Sequence, residues 1–187
     1  MSDYLTVPGA AMTQPERQYL HDLAVEAASR FGPDCTIVNI GVGMGCSCIC
    51  LRTGAPDATL IGVDIDPMVK QGDWVPLRAD SRRLVWPSPI HLLFVDGAHD
   101  YAAVKSDIQG WTPSVVPGGL VVFHDYGNAE ILPWTAGVRQ AVDECMGDGW
   151  ADLGLIDSIK AFKKGEGAGA GGLTLPGSPP PLVGKGA

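Results

Sequence analysis

The stretch from Asn39 to Ser47 reads NIGVGMGCS, with glycines at Gly41, Gly43 and Gly45. Glycines at that spacing let a backbone turn tightly and approach a ligand closely. A helix opening behind such a turn offers unpaired N–H groups. Asp64 follows Gly45 by 19 residues. An acidic residue there, at the end of the next strand, can accept hydrogen bonds from the ribose hydroxyls of a nucleoside cofactor. Asp80, Asp96 and the pair His124-Asp125 each follow a further strand-like run. His99 and His124 are the candidate general bases, because an imidazole titrates near neutral pH. Three thiols crowd at Cys46, Cys48 and Cys50. Residues two apart on a helix point about 200° from each other, so these three cannot converge on one ion. They read as small packing residues, with Cys46 placed for a lowered pKa near the helix N-terminus.

These groups need elements to position them. Thr13 and Glu16 have capping-box spacing with Pro15 in the first turn, and an apolar helical stripe runs from Tyr19 to Phe31 before Gly32-Pro33 ends it. Cys35 to Ile40 reads as a buried parallel strand. The Gly turn then opens a short helix that stops near Gly54. Strands follow at Thr59 to Val63, Trp74 to Ala79, Ile90 to Val95 and Leu120 to Phe123, the last entered through a Pro117-Gly118-Gly119 turn. The stretch from Pro67 to Gly72 leaves room for barely one or two helical turns. Helices fit about Asp100 to Pro113 and Pro133 to Met146, and two short strands near Ala151 to Leu155 and Ser158 to Lys163 close the domain. This alternation predicts an α/β fold: an open, mostly parallel seven-stranded sheet with helices on both faces and an antiparallel last strand. Such sheets bind ligands beyond the carboxyl ends of their strands, where strand order reverses.

Composition narrows the chemistry. The 187 residues carry a net charge of −8, and the 13 basic residues are scattered. That balance disfavours a nucleic-acid partner, which would need clustered Lys and Arg. No apolar run approaches the roughly 18 residues of a membrane span, and the N-terminus lacks the pattern of a secretory signal. Five cysteines, three of them crowded, are not a secreted disulfide framework. The expectation is a cytoplasmic protein with reduced thiols. The chain divides into an N-terminal arm (1–12), one domain (13–164) and a Gly/Pro-rich tail (165–187) whose composition predicts flexibility.

The Gly turn and Asp64 suit NAD and S-adenosylmethionine alike, although the glycines are G-x-G-x-G and not the G-x-G-x-x-G of NAD sites. Two later segments decide between them. In IHLLFVDGAHDYAAVKSDIQGW, from Ile90 to Trp111, the pattern D-G-x-H-x-Y-x-x-V-x-x-D is held by Asp96, Gly97, His99, Tyr101, Val104 and Asp107. The second segment, PGGLVVFHDY, runs from Pro117 to Tyr126. Together they resemble the class I S-adenosylmethionine-dependent methyltransferases, and within them the small-molecule O-methyltransferases of macrocin type, with catechol-type enzymes more distant. The resemblance covers roughly residues 35 to 163. It implies that Gly41, Gly43 and Gly45, helped by Ser47, hold the methionine part of the cofactor. It places Asp64 on the ribose, Ile65 against the adenine, Asp80 and Ser81 at the adenine edge, and Asp96 beside the cofactor.

Some relatives of this group bind a divalent metal such as Mg or Mn, with ligands from the ends of the fourth and fifth strands. The matching positions are Asp96, His124 and Asp125. His124 departs from the carboxylate common there, and an imidazole shifts preference from Mg²⁺ toward Mn²⁺, Fe²⁺ or Zn²⁺. Asn39 and Ala98 are departures too, since relatives often carry an acid at each. The expected activity is methyl transfer to a hydroxyl oxygen of a small molecule, with Asp96, His99 and His124 as catalytic residues. The alternatives are a non-catalytic cofactor-binding module and a protein or RNA methyltransferase. A homo-oligomer stays open.

Overall fold

The computed structural model describes residues 4–6, 11–66 and 72–167. The reading of 67–72 as a minimal helix, and that of 165–187 as a flexible tail, therefore lie almost entirely outside the described residues.

Seven strands form one sheet in the order β3-β2-β1-β4-β5-β7-β6. They are β1 (Thr36–Ile40), β2 (Thr59–Asp64), β3 (Val75–Arg78), β4 (Ile90–Val95), β5 (Val115–Phe123), β6 (Trp150–Ile156) and β7 (Ile159–Lys164). All pairings from β3 to β5 are parallel, while β7 runs antiparallel to both β5 and β6. The expected fold class and the antiparallel strand near the edge are both present. β4 is buried along its whole length, as a central strand covered on both faces must be.

Helices α1 (Gln14–Phe31) and α2 (Cys46–Gly54) cover one face. Their Leu20, Leu23, Cys48, Cys50 and Leu51 pack with Ile37, Leu60, Phe94 and Val122. Helices α3 (Tyr101–Trp111) and α4 (Ala136–Cys145) cover the other. Val104, Ile108, Trp111 and Val142 meet Val38, Ile40, Leu93 and Phe123 there. Successive strand residues alternate between these two cores, as the period of two requires. α1 starts as its sequence predicts: Thr13 and Glu16 form a capping box, with Pro15 in the first turn. Met12, assigned to the arm by composition, is buried with this core. No described helix is long and apolar enough to cross a membrane.

One local difference concerns Pro117-Gly118-Gly119. They lie within β5 and do not form a turn ahead of it. The register between β4 and β5 shifts between Ile90 and Leu92, which pair with Val115 and Leu120. The strand thus absorbs the extra residues as an irregularity, which Gly118 at φ 72° permits.

Candidate active site

Strand order reverses between β1 and β4, and a cavity of about 570 Å³ opens at their carboxyl ends. That volume is in the range of small-molecule and cofactor sites. The loop after β1 forms its floor. A Cβ on Gly41 would lie 1.9 Å from the Asp96 carbonyl oxygen, so only glycine lets this loop pass the end of β4. Gly43 faces open space and lines the cavity. Gly45 is not among the lining residues. It is the left-handed N-cap of α2 and lies under the Trp74 indole, where a Cβ would sit 3.1 Å from the ring.

Asp64, at the end of β2, has two engagements. Its Oδ2 accepts from the backbone N–H of Val42 (2.8 Å) and Gly43 (3.0 Å), and its Oδ1 from Asp66 N–H (2.8 Å). The carboxylate therefore fixes the glycine loop while it lines the cavity, and Oδ1, with one donor, keeps acceptor capacity. Ile65 lines the cavity and is 65% exposed. Asp80 accepts a two-pronged bond from the Arg82 guanidinium, Nε to Oδ1 at 2.8 Å and Nη2 to Oδ2 at 2.9 Å. Ser81 donates to buried Asp107 at 2.7 Å, and its carbonyl accepts from the Trp111 indole. Burial raises the Asp107 pKa. Ser47 accepts from Asn39 Nδ2 at 2.9 Å. Asp64, Ile65, Asp80, Ser81, Asp107 and Ser47 line the cavity, as does Arg82, which the sequence did not single out.

Beside the cavity, Asp96 belongs to a second group. Its Oδ1 lies 3.2 Å from His124 Nδ1 and 3.6 Å from His99 Nε2. Asp125 Oδ2 lies 3.3 Å from His124 Nδ1 and 2.9 Å from His99 Nε2. Neither ring nitrogen of His124, nor His99 Nε2, closes a hydrogen bond of good geometry. Asp125 holds a left-handed backbone at φ 60°. For a non-glycine residue this costs on the order of 1–2 kcal/mol. Asn128 Nδ2 donates to its Oδ1 at 2.7 Å and steadies it. Single ligand atoms from Asp96, His124 and Asp125 lie within 4.8 Å of one another, so the three positions matched by resemblance do converge.

Electrostatics here is extreme. Burial disfavours the charged form of His124, but the carboxylates of Asp125, Asp96 and Glu16 prevail and raise its pKa to about 12. The same two aspartates raise His99 to about 9 against the cost of burial. Burial would raise the Asp125 pKa, yet the two histidines beside it drive it far down. Glu16 is the residue that sequence reasoning missed. Its capping-box spacing marks it only as a helix cap, yet its buried carboxylate lies 3.7 Å from His124 Nε2. Nothing local in the sequence signals this, because His124 lies 108 positions away.

The cysteines behave as packing residues. Cys46, Cys48 and Cys50 are all buried, and Cys46 also lines the cavity. Its pKa falls to about 7, chiefly through a hydrogen bond with Cys50. His91 accepts from Thr36 N–H at 2.9 Å and His21 stacks on Tyr4, so both are structural.

The sheet order and its antiparallel strand are those of the Rossmann-like methyltransferase fold. Residues 38–126 match a family model described as a methyltransferase domain. An uncharacterized protein of Sinorhizobium fredii, y4gI, is 35% identical over 82 residues, which are 44% of this chain and 8% of that protein. Among solved structures, the methyltransferase MycE of the mycinamycin biosynthetic pathway aligns with a TM-score of 0.66 at 18% identity. It covers 92% of this chain and 55% of its own, and was solved with Mg, S-adenosylhomocysteine and mycinamycin VI. The O-methyltransferase TomG of Streptomyces achromogenes, solved with S-adenosylmethionine, aligns at 0.63 and 19% identity over 85% of this chain and 83% of its own. The N-methyltransferase NodS of Bradyrhizobium japonicum also aligns, at 0.55 and 16% over 78% and 94%. The chain thus spans about half the length of MycE and under a tenth of y4gI. At these identities the structural matches share a fold, and O- and N-methyltransferases occur among them.

Proposed function

We propose that this chain transfers a methyl group from S-adenosylmethionine to a hydroxyl oxygen of a small molecule. The observation that carries this reading is the double position of Asp96. It lines the cavity with Gly41, Gly43 and Asp64, and it faces His124 at 3.2 Å in the charged group alongside. A cofactor in the cavity and an acceptor at the charged group would meet there.

In this reading Gly41, Gly43 and Ser47 hold the methionine part and Asp64 the ribose. Ile65 lies against the adenine, with Asp80 and Ser81 at its edge. Gly45 acts indirectly, by seating Trp74 and starting α2. The acceptor oxygen attacks the sulfonium methyl in line; the S–C bond breaks with its electron pair left on sulfur, the O–C bond forms, and the hydroxyl proton would pass to His99 in its neutral form or to solvent.

Asp96, His124 and Asp125 fit a divalent cation. They are a carboxylate–imidazole–carboxylate donor set, mostly buried, with His124 Nδ1 lacking a good hydrogen bond. Such an ion would lower the pKa of the acceptor hydroxyl and orient its oxygen. The donor set favours Mn²⁺ over Mg²⁺. Asp96 and Asp125 raise the pKa of His99 to about 9 and of His124 to about 12, so a cation held by these carboxylates would compete with protons on both rings. Positive charge supplied from elsewhere to Asp96 and Asp125 would release His99 for work as a base.

The acceptor is read as a small molecule because the acidic balance disfavours nucleic acid. Five unpaired cysteines among the described residues support a cytoplasmic setting. The test is incubation of the chain with methyl-labelled S-adenosylmethionine, Mn²⁺ and a panel of hydroxylated acceptors. S-adenosylhomocysteine and an O-methylated product are expected, and both should vanish in Asp96→Ala. Failure to bind S-adenosylmethionine in calorimetry, or tight binding of NAD, would overturn the reading.

A further inference from the structure

Glu16 is buried to 2% exposure, and its carboxylate is fully enclosed by the chain. Oε1 accepts from Ser158 N–H at 2.8 Å and from the Ser158 hydroxyl. Oε2 accepts from Thr13 N–H at 2.7 Å. Oε2 also lies 3.7 Å from His124 Nε2, a buried ring nitrogen with no closer hydrogen-bond partner, and His124 is itself only 4% exposed. Three elements converge to make this arrangement: the N-terminus of α1, the turn between β6 and β7, and the end of β5. The turn is further pinned by Thr13 Oγ1 donating to Asp157 at 2.6 Å and by Gly127 N–H donating to Ser158 O at 3.1 Å.

A plain helix cap has no need of this enclosure. A capping Glu ordinarily sits at the surface and reaches only its own N-cap N–H. Burying a carboxylate is costly unless it is paired. Here three donors hold it and an imidazole faces it, on the side of the ring opposite to Asp96 and Asp125.

We propose that Glu16 is a positioning residue for His124: it takes the Nε2–H side of the ring, so that Nδ1 is presented to the site formed with Asp96 and Asp125. A histidine that ligates through one nitrogen ordinarily donates from the other to a carboxylate or carbonyl, which fixes its tautomer and orientation. This chain carries histidine at the third position, so it requires such a partner, and Glu16 supplies it. The inference rests on the reading of this cluster as a cation site, but the ring's orientation can be tested without any ion.

The experiment uses Glu16→Gln, which keeps the shape, alongside Ser158→Ala, which loosens the carboxylate without removing it. Titration with Mn²⁺ alone, followed by electron paramagnetic resonance, should show affinity falling about 10- to 100-fold in Glu16→Gln and less in Ser158→Ala. In ion-free protein labelled with ¹⁵N-histidine, His124 Nε2 should carry a proton whose resonance moves in Glu16→Gln. Equal Mn²⁺ affinity in wild type and both variants, or an Nε2 resonance unchanged by Glu16→Gln, would overturn the proposal. If wild type binds no Mn²⁺, the cation reading fails, and the Nε2 resonance alone decides on Glu16. If Glu16→Gln does not fold, Ser158→Ala carries both measurements.

Discussion

The two halves of the site are built by different means. The cavity side, where the proposal puts the cofactor, is made largely from backbone: a loop that only glycine can thread past Asp96, held by N–H bonds to Asp64. The charged side is made from side chains of three segments distant in sequence: Asp96 and His99, half-buried, and His124, Asp125 and Glu16, buried. The first half depends on the bare Cα of Gly41 and on the Asp64 carboxylate that anchors its loop. The second tolerates backbone strain at Asp125 and depends on every charge being answered. Asp96 is the residue common to both.

That contrast can be broken by substitution. The largest effect is expected at the shared residue. Asp96→Ala should lower turnover more than about 100-fold, because a cation ligand and the link to the cavity go together. Next comes Gly41→Ala. A methyl group 1.9 Å from a carbonyl oxygen at φ 87° must displace the loop. It should cost about 1–3 kcal/mol in denaturant melts and abolish cofactor binding in calorimetry. Gly43→Ala should cost only about 1 kcal/mol, since open space surrounds it. Equal losses at Gly41 and Gly43 would remove the steric account of the loop. Asp64→Ala should weaken S-adenosylmethionine binding by roughly 1–3 kcal/mol, through the loss of a charged acceptor and of the loop's anchor. Mn²⁺ affinity should be unchanged in that variant, because Asp64 is not part of the group formed by Asp96, His124 and Asp125.

A subtler effect is pH dependence. The folded pKa values of His99 and His124 lie above the ordinary value of 6.5. Their contribution to stability is therefore complete below about pH 6.5 and is lost as pH rises through about 9 for His99 and about 12 for His124. The ion-free chain should lose thermal stability on the alkaline side, as Tm measured in chelator will report. Cation binding must expel the same protons, so Mn²⁺ affinity should rise with pH, up to roughly tenfold per pH unit for each proton released. An affinity that falls with pH would contradict the charge assignment.

The same contrast explains what the sequence reveals. The sheet, its antiparallel strand and the glycine loop are legible because each rests on local signals: buried apolar runs, turn residues, a capping box. The ends of β4 and β5 are legible through the segments DGAHDY and HDY. Glu16 is not, because its local role as a cap fully accounts for it and its partners Ser158 and His124 are distant in the chain. Gly45 is a mild case of the same kind. Its spacing marks it as a cofactor contact, whereas its position is set by the Trp74 indole from beyond β2. The run through Pro117 to Gly119 reads as a turn locally and is drawn into β5 by pairing with β4.

The central claim is that the two halves act as one site. It is tested most directly with S-adenosylmethionine carrying a ¹³C-labelled methyl group, bound to the wild-type chain and followed by NMR as Mn²⁺ is added. The account predicts strong paramagnetic broadening of the bound methyl resonance by Mn²⁺ and none by Mg²⁺. A bound methyl resonance that Mn²⁺ leaves sharp would contradict it.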